Sequence, residues 1–448
     1  MNYNNNNGRK SLRNLSWKSV GSVLVAASFT LQCAGATSAE DSITATPESV
    51  GMSSERLQRI DDYFQHFVDA NQIAGAVSLV ARHGEVVHLS AVGWKYREQN
   101  IAMTTDSIFY LASMTKPIVS SALMMLFEEG RFRLDDPISD WIPEYADHQV
   151  RVSDSGRARN ELETQPVTIR HVLTHTSGLT LDPEGVGLTE QEQQWASNNG
   201  EGFATLDERI ARAAIIPGAF QPGEHWMYGA STDYVAILVE RISGQSIDEF
   251  LRERIFEPLG MSDTFYNIPR DKVNRVAAIY SAGENGEAQL YQAPEFIEPS
   301  TYFAGVAGLN STASDYIRFA QMIANGGELD GVRLLGRMTV ELMISNHTGD
   351  KDVYVRGPGF GFGLGFGVLV DPTVSFDTAS PGSYGWGGLA GTLYYADPVE
   401  DLVGLMFIQL RGHGPLNIRQ RFTNVVSQAV IDSGAEENPK VQGYGIDR

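Results

Sequence analysis

The sequence predicts a mixed α+β fold: a largely antiparallel sheet flanked by helices and built from both ends of the chain, with a mainly helical domain inserted between. Three observations carry this. Near the N-terminus two apolar, β-branched runs (73–81 and 85–93) meet at the turn His83-Gly84 and read as a hairpin, which pairs antiparallel. Near the C-terminus three further strand-like runs (361–370, 384–396 and 402–410) precede a helical stretch at about 416–432. Between the two ends, helical periodicity alternates with Pro/Gly-rich turns. At 448 residues the chain exceeds what one core usually serves. The economical division is a sheet domain (40–130 and 305–435), an inserted domain (131–304) and a C-terminal tail (436–448).

Residues 1–39 read as a signal peptide. Arg9, Lys10, Arg13 and Lys18 form a basic start, residues 20–31 an apolar stretch, and Thr37-Ser38-Ala39 a small-residue cleavage site. The implied address is export, to the periplasm or beyond. Cys33, the only cysteine, lies inside this leader, which leaves no intramolecular disulfide, no thiolate metal site and no cysteine nucleophile. Gln32 before it is a poor fit to a lipoprotein anchor.

Ser53-Ser54-Glu55 opens an amphipathic helix with Leu57, Ile60, Phe64, Phe67 and Val68 on one face. Residues 117–129, rich in Leu, Met and Ala and closed by Gly130, form a buried helix. Helical stretches follow at 167–175, 206–214, 231–242 and 246–256, with a polar loop near 181–203, and another helix at 313–325. In the glycine-rich run 357–367, Phe360, Phe362, Leu364 and Phe366 alternate with glycine. No Lys-Ser/Thr follows, so it reads as a strand with one bulky and one bare face rather than a phosphate loop.

Composition narrows the function. Hydrophobic content of 42% and charged content of 20% are those of a globular protein. No run approaches the roughly 18 apolar residues of an integral membrane span. A net charge of −21 disfavours nucleic acid and anionic membranes, which need a basic face.

Chemistry concentrates at three places. Ser113-Met114-Thr115-Lys116 stands between a strand-like run and the buried helix, so Ser113 sits at the helix start with Lys116 one turn on, on the same face. Backbone N–H groups at a helix start stabilise an oxyanion, and a lysine shielded from water can act as a base for a serine. Tyr228 lies in an aromatic turn, His225-Trp226-Met227-Tyr228, just before a helix. The third place is Trp386-Gly387-Gly388-Leu389, where glycines in a strand admit close approach of a ligand, and an edge strand with free N–H groups supplies an oxyanion donor.

In this order the three resemble the serine β-lactamase and DD-peptidase superfamily, whose signature is S-x-x-K, then Y-x-N, then K-T-G or H-x-G on a strand. The resemblance spans about residues 47–433 and includes VTIRHVLTHTSGL (167–179), IFEPLGMSDT (255–264) and GVAGLNSTASDYIRF (305–319). Within the superfamily the chain is most similar to the family VIII carboxylesterases, in which W-G-G replaces K-T-G. The resemblance implies Ser113 as nucleophile, Lys116 and Tyr228 as proton-handling partners, and the N–H groups of Ser113 and Leu389 as oxyanion hole beside Trp386, Gly387 and Gly388. It implies no cofactor. Ala230 stands where penicillin-recognising enzymes carry Asn, and Trp386 where they carry Lys or His. A substrate carboxylate would lose its cation at that strand, which favours neutral small-molecule esters over peptides and β-lactams.

The expected function is therefore hydrolysis of carboxylic esters through a Ser113 acyl-enzyme. The alternatives are a β-lactamase, an amide hydrolase or peptidase, or an acyltransferase of the same superfamily, and, from another class, a non-catalytic exported binding protein. His171 and His175, four apart, are not expected to bind metal, since no Glu follows His171 as in H-E-x-x-H. Ser177 lies outside any G-x-S-x-G, because position 175 is His. Oligomeric state is not encoded in any recognisable pattern.

Overall fold

The structure, a computed structural model, describes residues 43–154, 157–180 and 202–432. The expected leader (1–39), the tail (436–448) and most of the polar loop (181–203) lie outside the described residues.

The centre is an eight-stranded sheet: β1 (Gly75–Arg82), β2 (Glu85–Tyr96), β3 (Ile101–Ala102), β4 (Phe360–Phe362), β5 (Gly367–Leu369), β6 (Tyr384–Gly387), β7 (Leu393–Asp397) and β8 (Leu402–Phe407). Its order is β4-β5-β6-β7-β8-β1-β2-β3, and every pair is antiparallel. The N-terminal strands join the C-terminal ones where β1 pairs with β8, from Val77 opposite Phe407 to Arg82 opposite Leu402. A single sheet built from both ends of the chain is therefore the arrangement found.

Side-chain alternation turns this sheet into the middle of three layers. Val77, Leu79, Val403, Leu405 and Phe407 face a large core with α2 (Thr115–Glu128), α3 (Ser231–Ser243) and α4 (Ala313–Ala324). Ala76, Val80, Leu402 and Met406 face the other way, onto α1 (Ser54–Asp69) and α5 (Ile418–Ser427). Helix α1 buries only Leu57, Ile60, Phe64 and Phe67, and Ser53 caps it by accepting a hydrogen bond from the Arg56 N–H. Helix α2 is buried on every face from Thr115 through Leu126, and only its last residues reach the surface. Each large apolar side chain so buried contributes roughly 1.5–3 kcal/mol relative to exposure.

Several expectations need correction. The run 361–370 is not one strand but the hairpin β4–β5, closed by a Gly363 N–H to Phe366 C=O bond of 2.7 Å. Gly365 turns with φ +96°, and its bare Cα lies against Ser120 of α2, where any side chain would collide. The run 384–396 is likewise broken into β6 and β7 by a tight turn at Gly388–Thr392, closed by Gly388 N–H to Thr392 C=O at 2.8 Å. Strand β6 is not an edge: it pairs with β7 throughout and with β5 at Tyr384 and Gly385. Only beyond Gly385 does β5 fall away and leave that side open. Residues 131–304 also carry two hairpins (Gln149–Asp154 with Arg157–Leu162, Ile279–Ala282 with Ala288–Gln292), whose alternation is too weak to separate them from loops. The helix expected at 167–175 shrinks to Ile169–Leu173.

Candidate active site

Ser113 lies in a short 3-10 turn, Ala112–Met114, that turns the chain from Phe109–Tyr110 into α2. The bend is made at Ala112, which adopts φ +47°. A left-handed alanine costs on the order of 1–2 kcal/mol and persists only where packing enforces it, and here Ala112 is buried. The turn presents Ser113 to a cavity of about 420 Å³ that Tyr228, Trp386, Gly387, Gly388 and Leu389 also line. All the candidate site residues except Lys116 thus border one space.

Lys116 sits beneath it, 3% exposed. Its Nζ donates to Ser113 Oγ at 3.1 Å and to the Val306 carbonyl at 2.9 Å. The one-turn spacing read in the sequence is therefore a direct contact. Its ammonium also lies 4.6 Å from the centre of the Tyr228 ring, a cation–π arrangement.

Tyr228 is set by its neighbours. Its ring packs among Trp226, Trp386 and His175, at centroid distances of 6.0, 5.3 and 5.0 Å. Its backbone N–H donates to Tyr354 Oη at 3.1 Å. Its phenolic oxygen accepts from Trp386 Nε1 at 3.0 Å, and among the described residues it makes no hydrogen bond to Ser113 or Lys116. The lysine meets the tyrosine through the face of its ring.

The turn after β6 is anchored to the serine's own segment. Thr392 Oγ1 donates to the Leu111 carbonyl at 3.1 Å, and Gly388 lies so close to that carbonyl that a Cβ would overlap it. The N–H of Leu389 has no partner among the described residues. Its side chain is exposed and also borders a second cavity of about 510 Å³, lined by Tyr110, Tyr266, Ile297 and Phe303 among others. Two pockets thus meet at Leu389.

The beta-lactamase family model matches residues 60–424 of this sequence. The chain belongs to the beta-lactamase family. It falls in the serine β-lactamase/DD-peptidase superfamily with similarity to the family VIII esterases, a superfamily of serine hydrolases that spans esterases, peptidases and acyltransferases. It is 31% identical over 385 residues to esterase EstB of Burkholderia gladioli, covering 81% of this chain and 93% of that protein. It is 28% identical over 410 residues to a putative D-alanyl-D-alanine carboxypeptidase of Escherichia coli K12, covering 85% and 88%. Among solved structures, EstCE1, a hydrolase with promiscuous acyltransferase activity, superposes with a TM-score of 0.70 at 24% identity, covering 83% of this chain and 98% of that one. That last likeness speaks for the shared beta-lactamase fold.

Against that family background, some residues stand out that the sequence reading missed. Asp233, buried in the first turn of α3, accepts from the Val306 N–H at 3.0 Å, and the Val306 carbonyl in turn receives Lys116. Burial raises the Asp233 pKa, while the Val306 N–H, Arg209 and Lys116 draw it back. Nothing in a lone Asp three residues past Ala230 signals this. Arg356 and Arg419 line the serine's cavity, from a loop and from α5. Of the two histidines weighed as ligands, His171 accepts from the Thr168 N–H at 3.1 Å as part of a capping box. His175, at φ +58°, packs edge-on to Trp226 and Phe362, and burial followed by the Lys116 charge holds its pKa well below the usual histidine value. Both have structural employment.

Proposed function

We propose that the protein is a carboxylesterase acting through a Ser113 acyl-enzyme. The observation that carries this is the 3.1 Å contact between Lys116 Nζ and the Oγ of Ser113, which lines a cavity. The 31% identity with an esterase over most of both chains supports the ester-cleaving branch of the family.

In this reading the Ser113 hydroxyl gives its proton to the Lys116–Tyr228 pair as Oγ attacks the ester carbonyl. The negative charge on the carbonyl oxygen rests on the N–H groups of Ser113 and Leu389. The C–O bond to the alcohol breaks, and Tyr228 returns the proton to the departing alkoxide. Water, deprotonated by the same pair, then attacks the acyl carbon and frees the acid and Ser113. The Trp386 side chain donates to Tyr228 rather than to substrate, which leaves no cation at the strand position that reads a β-lactam carboxylate. We further propose that the enzyme is exported, on the basic and apolar pattern of residues 1–39; N-terminal sequencing of protein from the periplasm and medium, starting at Glu40 or nearby, tests this.

The test of activity is hydrolysis of a p-nitrophenyl ester series beside nitrocefin, for wild type and Ser113→Ala. Fast ester cleavage abolished in the variant, with little nitrocefin turnover, is the expected result. Ester cleavage that survives Ser113→Ala would remove the assignment. Efficient nitrocefin turnover with poor ester cleavage would make the protein a β-lactamase, and product transfer to an added alcohol would make it an acyltransferase.

A further inference from the structure

The serine's cavity holds two arginines that the mechanism does not use. Arg419 lies against the bare Cα of Gly387, where a Cβ would meet its Cζ and Nη1 at 2.8 Å, and one terminal nitrogen donates to the Gly388 carbonyl. Its Nε is buried and has no acceptor among the described residues. Arg356 reaches the same cavity from the opposite loop, its guanidinium 4.2 Å from the centre of the Phe360 ring. Its Nε is also buried without an acceptor, and its side chain makes no hydrogen bond among the described residues. Ser383, lining the same space, has a buried hydroxyl with no partner among the described residues.

Two other arginines of the chain are paired directly with carboxylates. Buried Arg82 has Glu400 at 3.0 Å and Asp432 at 2.9 Å, and Arg275 has Asp106 at 3.0 Å and Asp263 at 2.8 Å. Both side chains are half-buried, and a cation partly withdrawn from water without such partners is unfavourable, more so with a second cation near it. Burial and the Arg356 charge together lower the Arg419 pKa to about 10, still charged at neutral pH. The other titratable groups lining the cavity do not cancel the pair. Asp377 supplies one carboxylate, which acts on Arg356, and against two guanidinium groups it leaves one positive charge uncompensated. Burial, then the Arg419 charge, lowers His413 to about 4, so it is neutral. A chain with 55 acidic against 34 basic residues therefore keeps a net positive charge in the cavity that Ser113 lines.

We propose that Arg356 and Arg419 form an anion subsite within the serine's cavity, so that the preferred substrates are esters carrying a carboxylate. Planar guanidinium groups with free N–H donors are matched to a carboxylate, and a desolvated pair binds it more strongly than one at the surface. The absence of a cation at position 386 had pointed to neutral esters. The cation comes instead from two residues distant in sequence. This inference rests on the esterase reading above and narrows it.

The experiment compares kcat/KM for matched ester pairs that differ in one charge: monophenyl adipate against its methyl ester, and 4-acetoxybenzoate against methyl 4-acetoxybenzoate. The first pair places the carboxylate on the acyl side and the second on the alcohol side. Wild type is expected to prefer the anionic member of one pair by tenfold or more. Arg356→Met and Arg419→Met should each lower that anionic-to-neutral ratio at least tenfold. Adipate itself should inhibit hydrolysis of p-nitrophenyl butyrate by wild type competitively, where adipamide does not, a readout that needs no variant to fold. Neutral preference in both pairs, with no inhibition by adipate, overturns the proposal while leaving the esterase reading intact. An equal loss on charged and neutral esters in both variants also overturns it, and assigns the arginines to supporting Tyr228, whose phenolate would face Arg419. Failure to cleave any of the four esters would instead count against the esterase reading itself.

Discussion

The indole Nε1 of Trp386 donates a 3.0 Å hydrogen bond to the phenolic oxygen of Tyr228, their rings 5.3 Å apart and inclined by 48°. A residue on β6 that would otherwise face the substrate is thereby turned onto a candidate catalytic side chain. It leaves the tyrosine's own proton available and stabilises negative charge on its oxygen.

Trp386→Phe keeps the ring and deletes the donor. One neutral hydrogen bond is worth about 0.5–1.5 kcal/mol, so kcat/KM for p-nitrophenyl butyrate should fall roughly two- to tenfold. Tyr228→Phe should cost on the order of 10²–10⁴, the usual contribution of a positioned acid or base. The double variant should lose no more than Tyr228→Phe alone, because the indole acts through the phenol. Additive losses in that cycle would mean that Trp386 touches substrate directly.

Asp233 holds Val306, and Val306 holds Lys116. Asp233→Asn keeps an acceptor for the Val306 N–H but removes the charge that faces Lys116 and, at 3.9 Å, Arg209. Interactions of this charged kind are worth about 1.5–3 kcal/mol, so kcat should drop roughly ten- to a hundredfold. Thermal unfolding monitored alongside should move only a few degrees. A large loss of Tm with unchanged kcat would assign Asp233 to the fold alone.

Leu389 divides two cavities of about 420 and 510 Å³. Leu389→Ala removes the side chain and leaves the backbone N–H in place. Longer acyl chains then reach the second, aromatic-lined space, each seated methylene adding about 0.8 kcal/mol, or roughly fourfold. The octanoate-to-butyrate ratio of kcat/KM should rise by at least that factor, and a ratio that stays flat would show that the second cavity takes no part in binding.

His171 supplies an acid-sensitive contact. Burial, then the Arg170 charge, holds its pKa at about 4 in the folded state, while an unfolded histidine titrates near 6.5. Between those values the unfolded chain binds the extra proton, so stability is present above about pH 6.5 and is lost as the pH falls toward 4. Discounted for partial exposure, the loss from pH 7 to pH 5 is about 1 kcal/mol for this residue. His171→Gln keeps a capping-box side chain without a titrating group. Urea unfolding at both pH values should show a smaller drop for the variant, and an identical drop would place the acid sensitivity elsewhere.

The sequence by itself determined the elements and the chemistry that are written locally. Period-2 and period-3.6 patterns placed β1, β2, α1, α2 and α4 within a few residues, because the alternation of buried side chains along one segment is a local property. The three-residue step from Ser113 to Lys116 became a 3.1 Å contact because one helical turn dictates it. The ordered motifs also disclosed the family, since the order of segments survives folding.

Only the tertiary structure decided what depends on segments far apart in the chain. The packing of the helices and turns against the sheet brings Ser113, Tyr228 and Trp386–Leu389 around one cavity, and the antiparallel register of β5, β6 and β7 makes β6 an inner strand rather than an edge. Glycine runs that alternate like strands were split into hairpins by close approaches such as Gly365 against Ser120. No local pattern distinguishes Arg356 and Arg419 from any solvated arginine. Their meaning lies in two Nε atoms that find no acceptor among the described residues and in one carboxylate set against two guanidinium groups, which is a property of packing that no stretch of sequence records.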